Sequence, residues 1–352
     1  MKIHLLTGFL GSGKTTAIQQ AAQELINQKI KTGIITNDQG SKLVDGGLFK
    51  HLDIPSREVI NGCFCCNYNE LDANITSLVL AAGAEVIFAE SVGSCTDIIA
   101  TVLKPLLQFR TDTQVTVSTF ADARLLLMML REDAKEFDEA IRYIYFKQLE
   151  EAAIVIINKI DLVESGQLAI LKDIMQKKYS DKICLFQNSY SKHDIKQWLE
   201  VLVNYNVNTA VASLDINYDT YAAGEAKLAW IDQEIEIFSP DNNAIQQAEL
   251  LINKIYESVK TKGYAIGHLK FLLNNSIKIS FTSYDDQPKP IAPRPAPTAG
   301  LLINMRVQTI PENITKLIAN AITEIENQSG YRITISSLSA FQPGYPQPEH
   351  RL

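Results

Sequence analysis

Residues 8–15 read GFLGSGKT and fit the pattern Gly-x-x-x-x-Gly-Lys-Ser/Thr. Average composition yields such a match in on the order of one chain in a hundred of this length, so the flanks decide whether it counts. Ile3 to Thr7 is a short apolar run that ends at the first glycine and reads as a buried strand. From Thr15 to Gln28 the apolar residues Ile18, Ala21, Ala22, Leu25 and Ile26 recur at helical spacing. Strand, glycine-rich loop and helix are the context a phosphate-binding loop needs. Gly8, Gly11 and Gly13 let the backbone curl until its N–H groups converge on phosphate oxygens, and the helix N-terminus adds its dipole. Ser12 and Thr16 belong to the same nucleotide-binding stretch. Lys14 is placed to reach the β- and γ-phosphates, and Thr15 to hold Mg²⁺.

A second motif selects the base. Residues 154–161, IVIINKID, are an apolar strand followed by Asn-Lys-x-Asp. A carboxylate accepts two hydrogen bonds side by side. Guanine offers two adjacent donors and adenine does not, so Asp161 points to GTP. Lys159 can lie along the base plane, and Asn158 can brace the loop. Asn188, Ser189 and Tyr190 follow the apolar run Ile183 to Phe186 and are candidates for the other face of the base.

Between the two motifs the chain alternates. Strands are predicted over Thr32 to Thr36, Glu85 to Ala89, Gln114 to Thr119, Ala153 to Ile157 and Ile183 to Phe186, and helices over Asn69 to Ala82 and Glu132 to Ala152. This rhythm predicts an α/β fold of P-loop NTPase type, a mostly parallel sheet covered by helices with its ligands at the strands' carboxyl ends. Two acids fall at such ends: Asp38 in TNDQG and Glu90 in FAESVG. Both suit contact with Mg²⁺ or its waters, or orientation of the attacking water, so Lys14, Asp38 and Glu90 are the catalytic candidates. Gly93 is placed to offer a backbone N–H near the γ-phosphate.

Residues 61–67, NGCFCCN, hold three of the chain's five cysteines: Cys63, Cys65 and Cys66. A disulfide at this spacing is awkward, and no base for an activated nucleophile lies within the segment. Clustered thiolates suit a soft or borderline ion such as Zn²⁺, Cu(I) or Co²⁺. A closed structural zinc site wants four ligands where this segment supplies three. A transferable metal, a structural zinc, a reactive thiol and simple packing all stay open on the residues alone. Cys184 lies in an apolar run and reads as core, whereas Cys95 follows Gly93 and can approach the site.

With 352 residues, 46% hydrophobic and 21% charged, the chain is of ordinary globular composition and long enough for two domains. A net charge of −7 argues against a nucleic-acid partner. No apolar run suits a membrane span, and the N-terminus lacks a small-residue cleavage site, so a cytoplasmic protein is expected. The rhythm ends near Val211. Residues 1–210 are read as the GTPase domain, 211–225 as a linker, 226–340 as a second domain and 341–352 as a proline-rich tail. In the second domain the strand-like runs are Lys227 to Phe238, Gly267 to Leu273, Lys278 to Thr282, Leu301 to Thr309 and Arg332 to Ser337, and the helices Asn243 to Lys260 and Pro311 to Asn327. Their order suits a small α+β domain of ferredoxin-like type that recognises a client or a second copy of the chain, which would make a homodimer. His268 reads as structural. QPKPIAPRPAPTAG reads as a solvated loop, and FQPGYPQPEHRL as a frayed end, with a docking peptide or an arm carrying His350 as alternatives.

Taken in order, GFLGSGKTT, TNDQG with VD, GCFCCN, ESVG and NKID resemble the CobW/HypB/UreG family of metal-handling GTPases, and GCFCC points to its CobW-like branch. The likeness spans about residues 1–200 and extends weakly into the α+β region. It implies a GTPase, slow without a partner, that delivers a metal to a client metalloprotein or services a metal-cofactor enzyme. It also implies that Cys63, Cys65 and Cys66 are the metal site, with Zn²⁺ or Co²⁺ as cargo. Thr36 and Ser41 stand where the family often carries acids. Three functions follow: a GTP-dependent metallochaperone, a GTPase that gates a metal or corrinoid enzyme without carrying metal, and a P-loop enzyme acting on a small molecule.

Overall fold

The computed structural model describes residues 1–40, 44, 49, 54–131, 136–205, 212–287, 290–327 and 330–352. The chain forms two compact units. The first is built from Met1–Gln39, Leu52–Gly224 and Tyr345–Leu352, and the second from Gly40–His51 and Glu225–Gly344.

Seven strands make the sheet of the first unit: β1 (Lys2–Thr7), β2 (Thr32–Asn37), β3 (Ser56–Val59), β4 (Val86–Glu90), β5 (Gln114–Asp122), β6 (Ile154–Asn158) and β7 (Ile183–Gln187). Their order is β3-β2-β4-β1-β5-β6-β7, and every pairing is parallel. β2, β4 and β6 are buried along their whole length. This is why they read as unbroken apolar runs rather than alternating ones. All five predicted strands after β1 are present. β3 escaped the sequence reading because SREV has a single fully buried residue and no apolar run. The predicted helix from 132 begins at Glu139 instead, where Asp138 caps it by accepting from the Ala140 N–H at 3.0 Å. Residues 132–135 lie outside the described residues. β4 sits between β1 and β2, so the loops after β1 and β4 meet at the sheet's carboxyl edge.

The second unit is a five-stranded antiparallel sheet, β8 (Leu228–Phe238), β9 (Ile266–Leu273), β10 (Ile277–Phe281), β11 (Thr298–Gln308) and β12 (Arg332–Phe341), in the order β10-β9-β11-β8-β12. Without β10 this is the ferredoxin-like arrangement, to which β10 adds an edge hairpin on β9. The helices Ala244–Thr261 and Pro311–Glu326 bury Leu251, Ile255, Ile318 and Ile325 in one core with Ile231, Phe271 and Ile303. A second set of sheet residues forms a buried polar cluster. Arg306 pairs with Asp232 at 2.9 Å and stacks on Trp230 at 4.0 Å, and Asn304 donates to Asp232 and accepts from the Val44 N–H. His268 is buried opposite Arg306 in the ladder, as its structural reading expects. The stretch 211–225 contains the start of a helix, Tyr218–Ala226.

Candidate functional site: a phosphate loop beside a thiol cluster

Gly8, Gly11 and Gly13 all hold positive φ, at 119°, 74° and 92°, which only glycine adopts without strain. Gly8 also lies against β5, where a Cβ would fall 2.1 Å from the Phe120 carbonyl oxygen. Lys14 opens the helix Lys14–Asn27, is 5% exposed, and donates to the carbonyls of Gly8 at 2.7 Å and Phe9 at 3.3 Å. Its ammonium therefore lies over the loop where phosphate oxygens would bind. The buried Ser12 hydroxyl has no hydrogen-bond partner among the described residues, which fits a loop shaped for a polar ligand. Thr16 is half-buried in the first turn of the helix.

The structure joins Thr15 to Glu90. The Thr15 hydroxyl donates to both carboxylate oxygens, at 3.0 and 2.9 Å, with both residues buried. Asp38 follows β2 at the same edge, half-buried, its N–H donating to the Val59 carbonyl. Gly93 approaches the phosphate loop so closely that a Cβ would fall 2.8 Å from the Leu10 backbone nitrogen. Thr36 is buried in β2, and Ser41 lies outside the described residues.

Asn158 ties the base loop to the phosphate loop. Its amide donates to the Ser12 carbonyl at 2.8 Å, and its oxygen accepts from the Ser189 N–H at 3.1 Å and hydroxyl at 2.8 Å. Ser189 thus joins the base loop through Asn158. Lys159 sits in the left-handed region at φ 62° and pairs with buried Asp122 at 2.9 Å. Burial works against the Asp122 carboxylate, but Lys159 and Arg124 outweigh it and hold its pKa below the usual range. The sequence reading missed Asp122; its signal was an acid ending a buried strand, as at Glu90. Asp161 is exposed in a single turn, Ile160–Leu162.

The Sγ atoms of Cys63, Cys65 and Cys66 lie within 4.8 Å of one another. Cys63 is 2.7 Å from Cys65 and 3.2 Å from Cys66, and Cys65 and Cys66 are 3.8 Å apart. Four sulfurs around a tetrahedral ion at about 2.3 Å stand about 3.8 Å apart, so Cys63 must swing out by up to about 1 Å to admit one. Hydrogen bonding with Cys65 and Cys66 holds Cys63 well below the usual thiol range, whereas the hydrogen bond with Cys63 raises Cys66 to about 11. Asn37, the last residue of β2, fixes this loop: its amide donates to the carbonyls of Val59 and Gly62, and its oxygen accepts from the Phe64 N–H. The residue before Asp38 is thus the bridge from the nucleotide edge to the cysteines, a role its place in TNDQG did not reveal.

The last eight residues are held rather than frayed. The N–H groups of Gln347 and Glu349 donate to Cys66 Sγ at 3.3 Å and the Cys65 carbonyl at 2.9 Å. The Glu349 carboxylate accepts from the Asn69 N–H in the first turn of the helix Tyr68–Ala82. His350 packs between Tyr68, edge-on, and Phe109, tilted, with centroids 5.0 and 5.3 Å away. Arg351 pairs with the buried carboxylate of Asp97 at 2.8 Å, which Tyr218 also donates to. Beside Asp97, burial and that neighbouring charge push Glu151 up to about 8. Among the described residues, no helix is long and apolar enough to cross a membrane.

Against known proteins, residues 2–185 match the family model described as CobW/HypB/UreG, nucleotide-binding domain. The chain is 28% identical over 200 residues to the zinc chaperone CobW of a Sinorhizobium species, covering 51% of this chain and 56% of that protein. It is 29% identical over 164 residues to the zinc chaperone YeiR of Escherichia coli K12, covering 46% and 47%. To the zinc chaperone YjiA of the same organism it is 37% identical over 78 residues, covering 22% and 24%. The chain thus spans about half the length, or less, of the curated relatives it matches.

Proposed function

From the premise that this chain belongs to the CobW/HypB/UreG family, we propose that it hydrolyses GTP to control a transition-metal ion carried on Cys63, Cys65 and Cys66 and handed to a client metalloprotein or metal-cofactor enzyme. The observation that carries this reading is Asn37. It closes β2 at the nucleotide edge and fixes the thiol loop by three hydrogen bonds. A change at the phosphates therefore has a short, rigid route to the sulfurs. Three thiols suit Zn²⁺ or Co²⁺, and zinc is the ion in the names of the matched relatives.

In this proposal Asp161 accepts from guanine, while Asn158 and Ser189 hold the base loop in register with the phosphate loop. Lys14 leaves the carbonyls of Gly8 and Phe9 for the β- and γ-phosphates. Thr15 and Glu90 are the residues that would hold Mg²⁺, directly or through its waters. Bound there, that ion supplies charge neutralisation between the phosphates. A water oxygen bonds to the γ-phosphorus as its bond to the β–γ bridging oxygen breaks, and the water's proton ends on the phosphate released with GDP. Asp38 orients that water, and Gly93 offers its N–H to the γ-phosphate. Loss of that phosphate removes the contacts made at Asp38 and Gly93.

The test is zinc binding by the reduced protein, by competition with a chromophoric chelator, in GTPγS and in GDP. Tighter binding in GTPγS, and loss of binding in a Cys63→Ser, Cys65→Ser, Cys66→Ser triple variant, is the expected result. Equal affinity in the two nucleotides would sink the coupling, because linkage is reciprocal. Zinc binding that survives the triple variant would mean that the three thiols do not carry the ion and would bring the client-gating reading to the front.

A further inference from the structure

Cys95 lies five residues beyond Glu90 and is 2% exposed. Its thiol is within hydrogen-bonding reach of both Cys63 and Cys65. It is not part of the set whose sulfurs are all within 4.8 Å of one another, so it approaches the triad from the Cys63 and Cys65 side. The backbone leading to it is a short stiff turn, with the Cys95 N–H donating to the Val92 carbonyl at 3.1 Å. Buried Gln148 clamps that turn, donating to the carbonyls of Cys95 at 2.7 Å and Gly93 at 3.1 Å. At its start Glu90 holds Thr15, and in its middle Gly93 abuts Leu10 of the phosphate loop. One segment therefore touches the Mg²⁺ ligands, the phosphate loop and the thiols in turn.

The ligand chemistry leaves a position for it. Three thiolates leave one corner of a tetrahedral ion open, and a closed site takes four. The segment 61–67 has no further cysteine or histidine to offer.

We propose that Cys95 is a fourth thiolate for the cargo ion, brought onto it in the GTP state and withdrawn after hydrolysis. This rests on the carrier reading above. A γ-phosphate on the Gly93 N–H draws this stiff turn as one piece and carries Cys95 the remaining distance to the triad. On ligation the Cys95 thiol gives its proton to solvent, and no electron moves. Hydrolysis removes the anchor at Gly93, the turn relaxes, and the ion is left on three thiolates with an open position for a client's ligand.

The experiment uses Co²⁺ as an optical probe on the full-length reduced protein, in GTPγS and in GDP. Thiolate-to-cobalt charge-transfer intensity grows with the number of thiolates bound. In wild type it should fall from a four-thiolate to a three-thiolate level between GTPγS and GDP. Cys95→Ala should show the three-thiolate level in both, with Co²⁺ affinity in GTPγS weakened by about 10–100-fold, the scale on which a metal site responds to losing one partner. Three thiolates in both states of wild type, or four in both, overturns the proposal, and this holds even if the alanine variant fails to fold. The two readings fail separately. If the triple serine variant still binds Co²⁺, the carrier reading falls. If it loses Co²⁺ while Cys95→Ala matches wild type in both nucleotides, only the role of Cys95 falls.

Discussion

Replacing Asn158 by alanine removes three hydrogen bonds at the junction of the phosphate loop and the base loop. Ser12, Asn158 and Ser189 are at most 4% exposed, so what is lost is not readily replaced by water. The Ser189 hydroxyl keeps a partner, because Gln187 donates to it at 3.1 Å. The Ser12 carbonyl and the Ser189 N–H lose the partners these bonds supplied. A buried group left unpaired costs about 1–3 kcal/mol, so the variant should lose about 2–6 kcal/mol. The low half of that range is expected, since the side chain's departure leaves room beside Gly13, whose Cβ direction points at the Asn158 amide nitrogen 2.3 Å away. Urea unfolding of the nucleotide-free protein reads the stability loss. Binding of a fluorescent GDP reads the consequence for the site, expected as a 10–100-fold weaker Kd because base and phosphates no longer share one frame. Asn158→Asp keeps the acceptor for Ser189 but not the donor to Ser12, and should fall between the two. A double cycle with Ser189→Ala should give a coupling energy of about 1 kcal/mol or more. If Asn158→Ala binds GDP within threefold of wild type and unfolds at the same urea concentration, the two loops are held by something else and the reasoning fails.

Gly93→Ala places a Cβ 2.8 Å from the Leu10 backbone nitrogen. Such overpacking costs about 1–3 kcal/mol, so GTP turnover should fall about tenfold or more in a phosphate-release assay while GDP affinity changes less. Buried His4, which touches the Thr116 hydroxyl at 2.6 Å, has its pKa lowered to about 3 by burial and by Lys2. Its contribution is therefore present above pH 6.5 and lost as pH falls towards 3, about 2 kcal/mol by pH 5. The stability difference between wild type and His4→Asn should shift by that amount from pH 7 to pH 5. Glu151, raised to about 8 by burial and Asp97, has the opposite sign: it favours the fold at low pH, and that favour is lost as pH rises from about 4.5 to 8. Removing residues 345–352 uncovers Cys66, to which the Gln347 N–H donates, so alkylation of Cys66 by iodoacetamide should speed up severalfold without loss of GTP binding.

The elements proposed to carry the phosphate chemistry could be read from the sequence because each is local. A glycine loop, a buried strand and an acid at a strand end are contiguous in the chain, and their geometry follows from backbone conformation. Gly93 stood out as a candidate for the same reason, but the close approach a side chain would meet there, 2.8 Å from Leu10, is long-range. What stayed hidden depends on partners far apart in sequence. Asn37 meets Phe64 and Gly62, Asp122 meets Lys159, and the tail meets Cys65 and Cys66 across more than 280 residues. Three prolines in FQPGYPQPEHRL rule out a regular helix, but they do not imply disorder. An extended segment can satisfy its N–H groups on a neighbouring loop, as Gln347 and Glu349 do.

The size of the coupling constrains how the ion would leave. Driving a site from 99% occupied to 1% needs a change of about 10⁴-fold, or about 5.5 kcal/mol. Withdrawing one thiolate accounts for about 10–100-fold, or about 1.4–2.7 kcal/mol. Loosening the three bonds of Asn37 changes the geometry of the remaining thiols, but the loop also has the N–H groups of Gln347 and Glu349 to hold it. Hydrolysis on this scheme does not eject the ion into water. It opens one corner of the ion and lowers the affinity enough for a competing ligand set to win, so the GDP state should release metal quickly only when an acceptor is present. Stopped-flow transfer of Co²⁺ from the GDP-bound protein to a chelator should therefore accelerate with chelator concentration. A rate independent of acceptor concentration would mean that the ion leaves first, and that the open corner has no part in the hand-over.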